Sequence, residues 1–126
     1  MSGDQGKPKV LIVDDEYAIA RTLAIILNQS GFRALPIYHA WAALQVAEGL
    51  QPDILLTDVV MPGCDGFEIA MKICAVVPRC RVFLLSAQFR AADRVADLRA
   101  RGYHFEFLHK PIHPTDLLTR LRVAAT

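Results

Sequence analysis

The sequence predicts an α/β domain built on a mostly parallel sheet, and three observations carry that expectation. Short apolar runs alternate with amphipathic segments five times along the chain, the pattern of repeated βα units. The runs Val10-Leu11-Ile12-Val13, Ile54-Leu55-Leu56-Thr57 and Val82-Phe83-Leu84-Leu85 are nearly continuous, as strands covered on both faces require. Each run also closes on a polar group: Asp14 and Asp15, Asp58, and Ser86. In open α/β sheets ligands bind beyond the carboxyl ends of the strands, so these residues point to one shared pocket.

The elements follow in order. A first strand at 9–13 leads to a helix near 16–29, where Ile19, Leu23, Ile26 and Leu27 share a face and Gly31 ends the run. A short strand near 33–37 precedes a helix near 40–49, with Ala40, Ala43, Leu44 and Ala47 in register and Gly49 as its stop. Trp41 on this alanine-rich helix reads as partial packing, with a partner contact as the alternative. Pro52 and Asp53 open the third strand, and the loop after Asp58 carries the turn signal Met61-Pro62-Gly63. Asp65 with Glu68 is a capping-box pattern for a helix near 66–77, with Phe67, Ala70, Met71 and Cys74 facing inward. A fourth strand near 81–85 precedes a helix at 91–101 so rich in Arg and Asp that it should be the most solvated of the five. Gly102 ends that helix. A fifth strand near 105–108 leads through Lys110-Pro111 into a helix near 114–124, which buries Leu117, Leu118 and Leu121 and is capped by Thr115 or His113.

With 126 residues, 53% of them hydrophobic, the chain has the size and core of one domain spanning 1–126, and residues 1–7 are expected to be flexible. Its 14 Lys and Arg against 13 acidic residues give a net charge of +1, so no global field draws it to nucleic acid or to a membrane surface. No apolar stretch approaches the roughly 20 residues of a membrane span, and a signal peptide's apolar core is absent. Cys64, Cys74 and Cys80 form no CxxC pair and leave an odd thiol, which fits a reducing compartment. The reading is a cytoplasmic protein.

Crowding Asp14, Asp15 and Asp58 into one pocket has an electrostatic consequence. At an effective dielectric near 20, two carboxylates roughly 5 Å apart oppose each other by about 3 kcal/mol, so the pocket attracts a hard divalent cation. Taken singly the residues have plainer explanations. Asp15 could cap a helix, Asp58 could start a turn, Ser86 could merely end a strand, Lys110 could be solvated and Phe107 could be core. His39, His104, His109 and His113 lack metal-ligand spacing on any one helix face.

The ordered set is more specific. Through Asp14-Asp15-Glu16, Asp58-Val59-Val60-Met61-Pro62-Gly63 with Asp65-Gly66, Leu85-Ser86-Ala87 and Lys110-Pro111, the chain resembles the receiver domain of two-component response regulators over roughly residues 7–124. The resemblance implies a flavodoxin-like fold, a three-layer α/β/α sandwich with five helices around a five-stranded parallel sheet in the order 2-1-3-4-5. It implies that Asp58 accepts a phosphoryl group from the phosphohistidine of a sensor histidine kinase or phosphotransfer protein, in a reaction needing Mg²⁺ or, in its place, Mn²⁺. Asp15 and Asp58 would hold the metal directly, Asp14 through water, and Val60 through its carbonyl. Lys110 would pair with Asp58 and then with phosphate, across a cis bond to Pro111. Ser86 and Phe107 would form the switch, and Val60 and Gln88 would tune dephosphorylation.

The partners so implied are the phosphodonor, a downstream protein, and a second copy of the chain on phosphorylation, with no direct contact to nucleic acid or membrane. No enzymatic activity is expected beyond self-catalysed phosphorylation and slow autodephosphorylation. Two rivals differ in class: a Mg²⁺-dependent aspartyl-phosphate phosphohydrolase of haloacid-dehalogenase type, and an interaction module that is never phosphorylated. The first is a poorer match, since Val13-Asp14-Asp15-Glu16 departs from the motif with which that family ends strand one. The stretch from Ser86 to Lys110 is slightly longer than the receiver pattern, and Gly102-Tyr103 stands where Gly-Ala is more usual, which affects the bounds of the fourth helix and fifth strand.

Overall fold

In the computed structural model, which describes residues 6–88 and 90–126, five βα units follow one another along the chain. They are β1 (Lys9–Val13), α1 (Tyr17–Asn28), β2 (Arg33–Ile37), α2 (Ala43–Leu50), β3 (Ile54–Asp58), α3 (Gly66–Val76), β4 (Arg81–Ser86), α4 (Arg90–Ala100), β5 (Glu106–His109) and α5 (Pro114–Ala125). Numbered in this way, the strands pair in parallel in the order β2-β1-β3-β4-β5. The expected flavodoxin-like sandwich and its strand order are therefore present. Two small pieces complete it: a 3-10 turn over Ala40–Ala42, and an antiparallel pairing of Val60–Met61 with Cys64–Asp65.

The continuous apolar runs are explained by burial on both faces. Successive strand residues point to opposite layers. Leu11, Val13, Leu55, Val82 and Leu84 pack with the inner faces of α2, α3 and α4, whereas Val10, Ile12, Ile54, Leu56, Phe83 and Leu85 pack with α1 and α5. Each fully buried Leu or Ile contributes on the order of 1.5–3 kcal/mol, so this central sheet is the rigid part from which the loops project. Among the described residues no helix is long and apolar enough to cross a membrane.

Several expectations shift in detail. On α1 the row nearest the sheet is Ala20, Ala24 and Leu27, while Ile19, Leu23 and Ile26 flank it half-buried; the alanines let the helix approach closely. On α3, Ile69 and Ile73 join Phe67 and Ala70 in the core, and Met71 and Cys74 lie at its margin. Gly49 does not stop α2. The helix runs to Leu50, and Gln51 takes the left-handed position at φ 53°, directing the chain into Pro52. Trp41 is 80% exposed rather than packed, because its 3-10 turn lies outside the helical row formed by Ala43 and Ala47. β5 begins one residue later than expected, and His113 rather than Thr115 caps α5, its Nδ1 accepting the Thr115 N–H at 3.1 Å. α4 is the solvated helix foreseen, seating only Ala91, Val95 and Leu98; Gly102, at φ 98°, follows it. Of the N-terminal segment expected to be flexible, residues 1–5 lie outside the described residues.

Candidate functional site

Strand parity assembles the site. Ile12, Leu56 and Leu108 all face the α1–α5 layer, so the residues two places on, Asp14, Asp58 and Lys110, emerge on that same side beyond the strand ends. There Lys110 Nζ stands 3.4 Å from Asp14 Oδ2 and 3.3 Å from Asp58 Oδ1. The Lys110–Pro111 bond is cis, as the resemblance implied. Backbone hydrogen bonds to neighbouring strands fix these positions. The Asp14 N–H donates to Ile37 O at 3.2 Å, Val59 N–H to Leu85 O at 3.1 Å, and Lys110 N–H to Ser86 O at 2.9 Å.

The third carboxylate is not the one expected. Glu16 keeps an extended backbone (φ −79°, ψ 98°), so the alternation continues past the strand and Glu16 falls on the side of Asp14. Its N–H donates to Asp14 Oδ1 at 2.9 Å, and carboxylate oxygens of Asp14, Glu16 and Asp58 lie within 4.8 Å of one another. Asp15 has the opposite parity. Exposed, it lines a depression on the α2 side with Tyr38, His39, Trp41 and Met61, outside the cluster in which the sequence placed it.

Burial sets the electrostatics. Asp14 and Asp58 are 1% and 8% exposed. Burial, seconded by repulsion from Asp14, outweighs attraction by Lys110 and holds the Asp58 carboxyl above its ordinary pKa. For Lys110, burial alone would lower the pKa, but Asp14 and Asp58 together overcome it and the ammonium is held above its usual value. Three carboxylates against one ammonium leave the cluster at −2 when all are ionised. A hard oxygen donor set with uncompensated negative charge fits a divalent cation such as Mg²⁺.

The remaining predicted residues surround this cluster. Ser86 is buried, with its Oγ accepting the Gln88 N–H at 3.0 Å, and Phe107 is half-buried on the neighbouring strand in the same α2–α4 layer. Val60, two places past the end of β3, is 55% exposed, and Gln88 is exposed beyond β4. Cys64 is half-buried in the loop; burial, with Glu68 nearby, raises its pKa, which disfavours a reactive thiolate.

Sequence reasoning passed over the structural role of Gly66. A Cβ there would stand 2.1 Å from the Asp58 carbonyl oxygen and 2.9 Å from Val59 Cα, so only glycine lets α3 start against the backbone of Asp58. Asp65 prepares that start by accepting the Phe67 N–H at 2.9 Å. The available signal was a glycine at the first position of a capped helix.

Comparison with known proteins bears on the family and the fold. The sequence pattern of the response regulator receiver domain matches residues 10–122. "Transcriptional regulatory protein CreB" of Escherichia coli (strain K12) is 31% identical over 113 residues, 90% of this chain and 48% of that protein. "DNA-binding response regulator MtrA" of Mycobacterium tuberculosis (strain ATCC 25618 / H37Rv) is 29% identical over 121 residues, covering 94% of this chain and 51% of that protein. The chain thus spans about half the length of these curated relatives. Among solved structures, the CheY-like response regulator receiver domain protein from Methanospirillum hungatei JF-1 superposes with a TM-score of 0.85, at 24% identity and with 95% of this chain and 94% of that chain covered, a likeness of fold.

Proposed function

This chain belongs to the response regulator receiver domain family, and from that premise we propose that it is a phosphorylation-controlled switch whose acceptor is Asp58. The observation that carries the reading is Lys110 Nζ held 3.3 Å from Asp58 Oδ1 beside the buried carboxylate of Asp14. An Asp58 carboxylate oxygen attacks the phosphorus of a phosphohistidine on a sensor histidine kinase or phosphotransfer protein. The P–O bond forms as the P–N bond breaks, and the imidazole leaves with a proton. Lys110 orients the attacking carboxylate beforehand and then moves its charge to a phosphate oxygen. When bound, Mg²⁺ or Mn²⁺ supplies neutralisation of charge on the phosphoryl oxygens.

Asp58 would hold that cation directly and Asp14 through water, with Val60 offering its carbonyl. The cluster makes Glu16 the third carboxylate, and the resemblance makes it Asp15. Mg²⁺ titration separates them: weakening confined to Glu16→Gln follows from the cluster as it stands, and weakening confined to Asp15→Asn returns the role to Asp15.

After transfer, the new charge on Asp58 draws the Ser86 hydroxyl from the Gln88 N–H, and the loop after β4 moves with Phe107. A downstream protein reads that face. The exposed aliphatic Val60 cannot hold an attacking water, which leaves Gln88 to do so weakly and makes the phosphorylated form long-lived. Val60→Asn should shorten its half-life severalfold; an unchanged half-life refutes this role. The chain then has no catalytic activity beyond its own phosphorylation and slow dephosphorylation.

Beryllofluoride with Mg²⁺ tests the switch. NMR shifts at Ser86, Phe107 and α4, lost in Asp58→Asn, are expected. No shift would favour an unphosphorylated interaction module, and sustained turnover of a phosphomonoester would favour a hydrolase.

A further inference from the structure

Of the four buried polar residues among the described residues, Asp14, Asp58 and Ser86 already have a part in the site, and Thr57 has none. It stands on β3 directly before Asp58, fully buried, and alternation puts it on the face where Leu55 and Val59 pack with α2, α3 and α4. A hydroxyl in that layer is unfavourable unless it is bonded, and valine would fill the same space without one. The bond Thr57 makes is to its neighbour. Its Oγ1 donates to the carbonyl oxygen of Asp58 at 3.0 Å.

That carbonyl is one end of the peptide group joining Asp58 to Val59, and the other end, the Val59 N–H, donates to Leu85 O at 3.1 Å. The group is therefore held at both ends. Gly66 closes on the same carbonyl oxygen, since a Cβ there would stand 2.1 Å from it. Because a peptide group is planar, fixing its two ends fixes ψ of Asp58 and φ of Val59, the dihedrals that set the Asp58 Cα against the loop carrying Val60. We propose that Thr57 is a positioning residue for Asp58: its hydroxyl holds the peptide group that leaves the acceptor and so keeps the carboxylate beside Lys110 aligned for transfer. The inference rests on Asp58 being the acceptor. Thr57 itself acts only through the backbone, as a small displacement of an attacking atom is enough to slow a reaction by orders of magnitude.

Two substitutions separate the hydroxyl from the packing. Thr57→Val keeps the shape and removes the donor, whereas Thr57→Ser keeps the donor and removes a methyl group. In the chain without phosphodonor, the NMR resonances of the Asp58 carbonyl and carboxyl carbons should shift in Thr57→Val and lie near their native positions in Thr57→Ser. With acetyl phosphate and Mg²⁺, intact mass followed over time should show Thr57→Val gaining its phosphoryl group about tenfold more slowly than the native chain, and Thr57→Ser at close to the native rate. Native resonances and rate in Thr57→Val overturn the proposal, as does a greater loss in Thr57→Ser than in Thr57→Val, which would make the residue a packing group. A native chain that takes up no phosphoryl group overturns the acceptor reading and the proposal with it; native phosphorylation with Thr57→Val unaffected overturns the proposal alone.

Discussion

At Asp58 the fold and the proposed function pull in opposite directions. Burial and Asp14 hold the native carboxyl above its ordinary pKa, so the stability it lends is fully present below the unfolded value and is lost as pH rises through the native one. At neutral pH the ionised side chain therefore costs stability. Asp58→Asn should raise Tm at pH 7 by a few degrees, the shift that about 1 kcal/mol produces in a domain of this length. The gain should vanish as pH falls toward 4. Thermal melts across that range check it, and a destabilised Asp58→Asn at pH 7 would contradict the electrostatic picture. A carboxyl held above its ordinary pKa by burial, in a cluster with Lys110, is a functional-site candidate on physical grounds.

At the scale of elements, the start of α3 is closely fitted to the backbone of Asp58. Gly66→Ala pushes a methyl into the carbonyl of Asp58, and overpacking of this kind costs about 1–3 kcal/mol. The variant should melt lower and also phosphorylate more slowly, because relief of the clash displaces the acceptor; equal stability with an unshifted Asp58 spectrum would exclude the packing role. This element also marks how far the sequence could be read. The strands, their order by resemblance, and Asp14, Asp58, Ser86 and Lys110 at their ends were legible because apolar runs and chain punctuation report them directly. That Glu16 and not Asp15 lies beside Asp14 was legible in principle, since alternation carried past Val13 puts Glu16 on the side of Asp14. The assumption that adjacent acids share a pocket concealed it. Gly66 and the exposure of Trp41 depend on how separate segments meet, which no local pattern encodes.

For the whole molecule, the sheet is a fixed platform and the proposed chemistry lies at its carboxyl edge. The face made by α4, β5 and α5 carries charges already engaged within the chain: Glu106 pairs with Arg120 at 3.2 Å and Arg81 at 3.7 Å. Pairing of two copies through this face would have to exchange those bonds, and exposed pairs are worth at most about 1 kcal/mol each, so the exchange is cheap. Sedimentation should show a higher mass with beryllofluoride and Mg²⁺ than without; identical mass in both conditions rejects a phosphorylation-dependent dimer.

The central claim is that the buried carboxylate beside Lys110 is the one esterified. Intact mass after treatment with acetyl phosphate and Mg²⁺ tests it most directly. The account predicts the added mass of one phosphoryl group on the native chain and none on Asp58→Asn. An unmodified native chain, or equal modification of the variant, would contradict it.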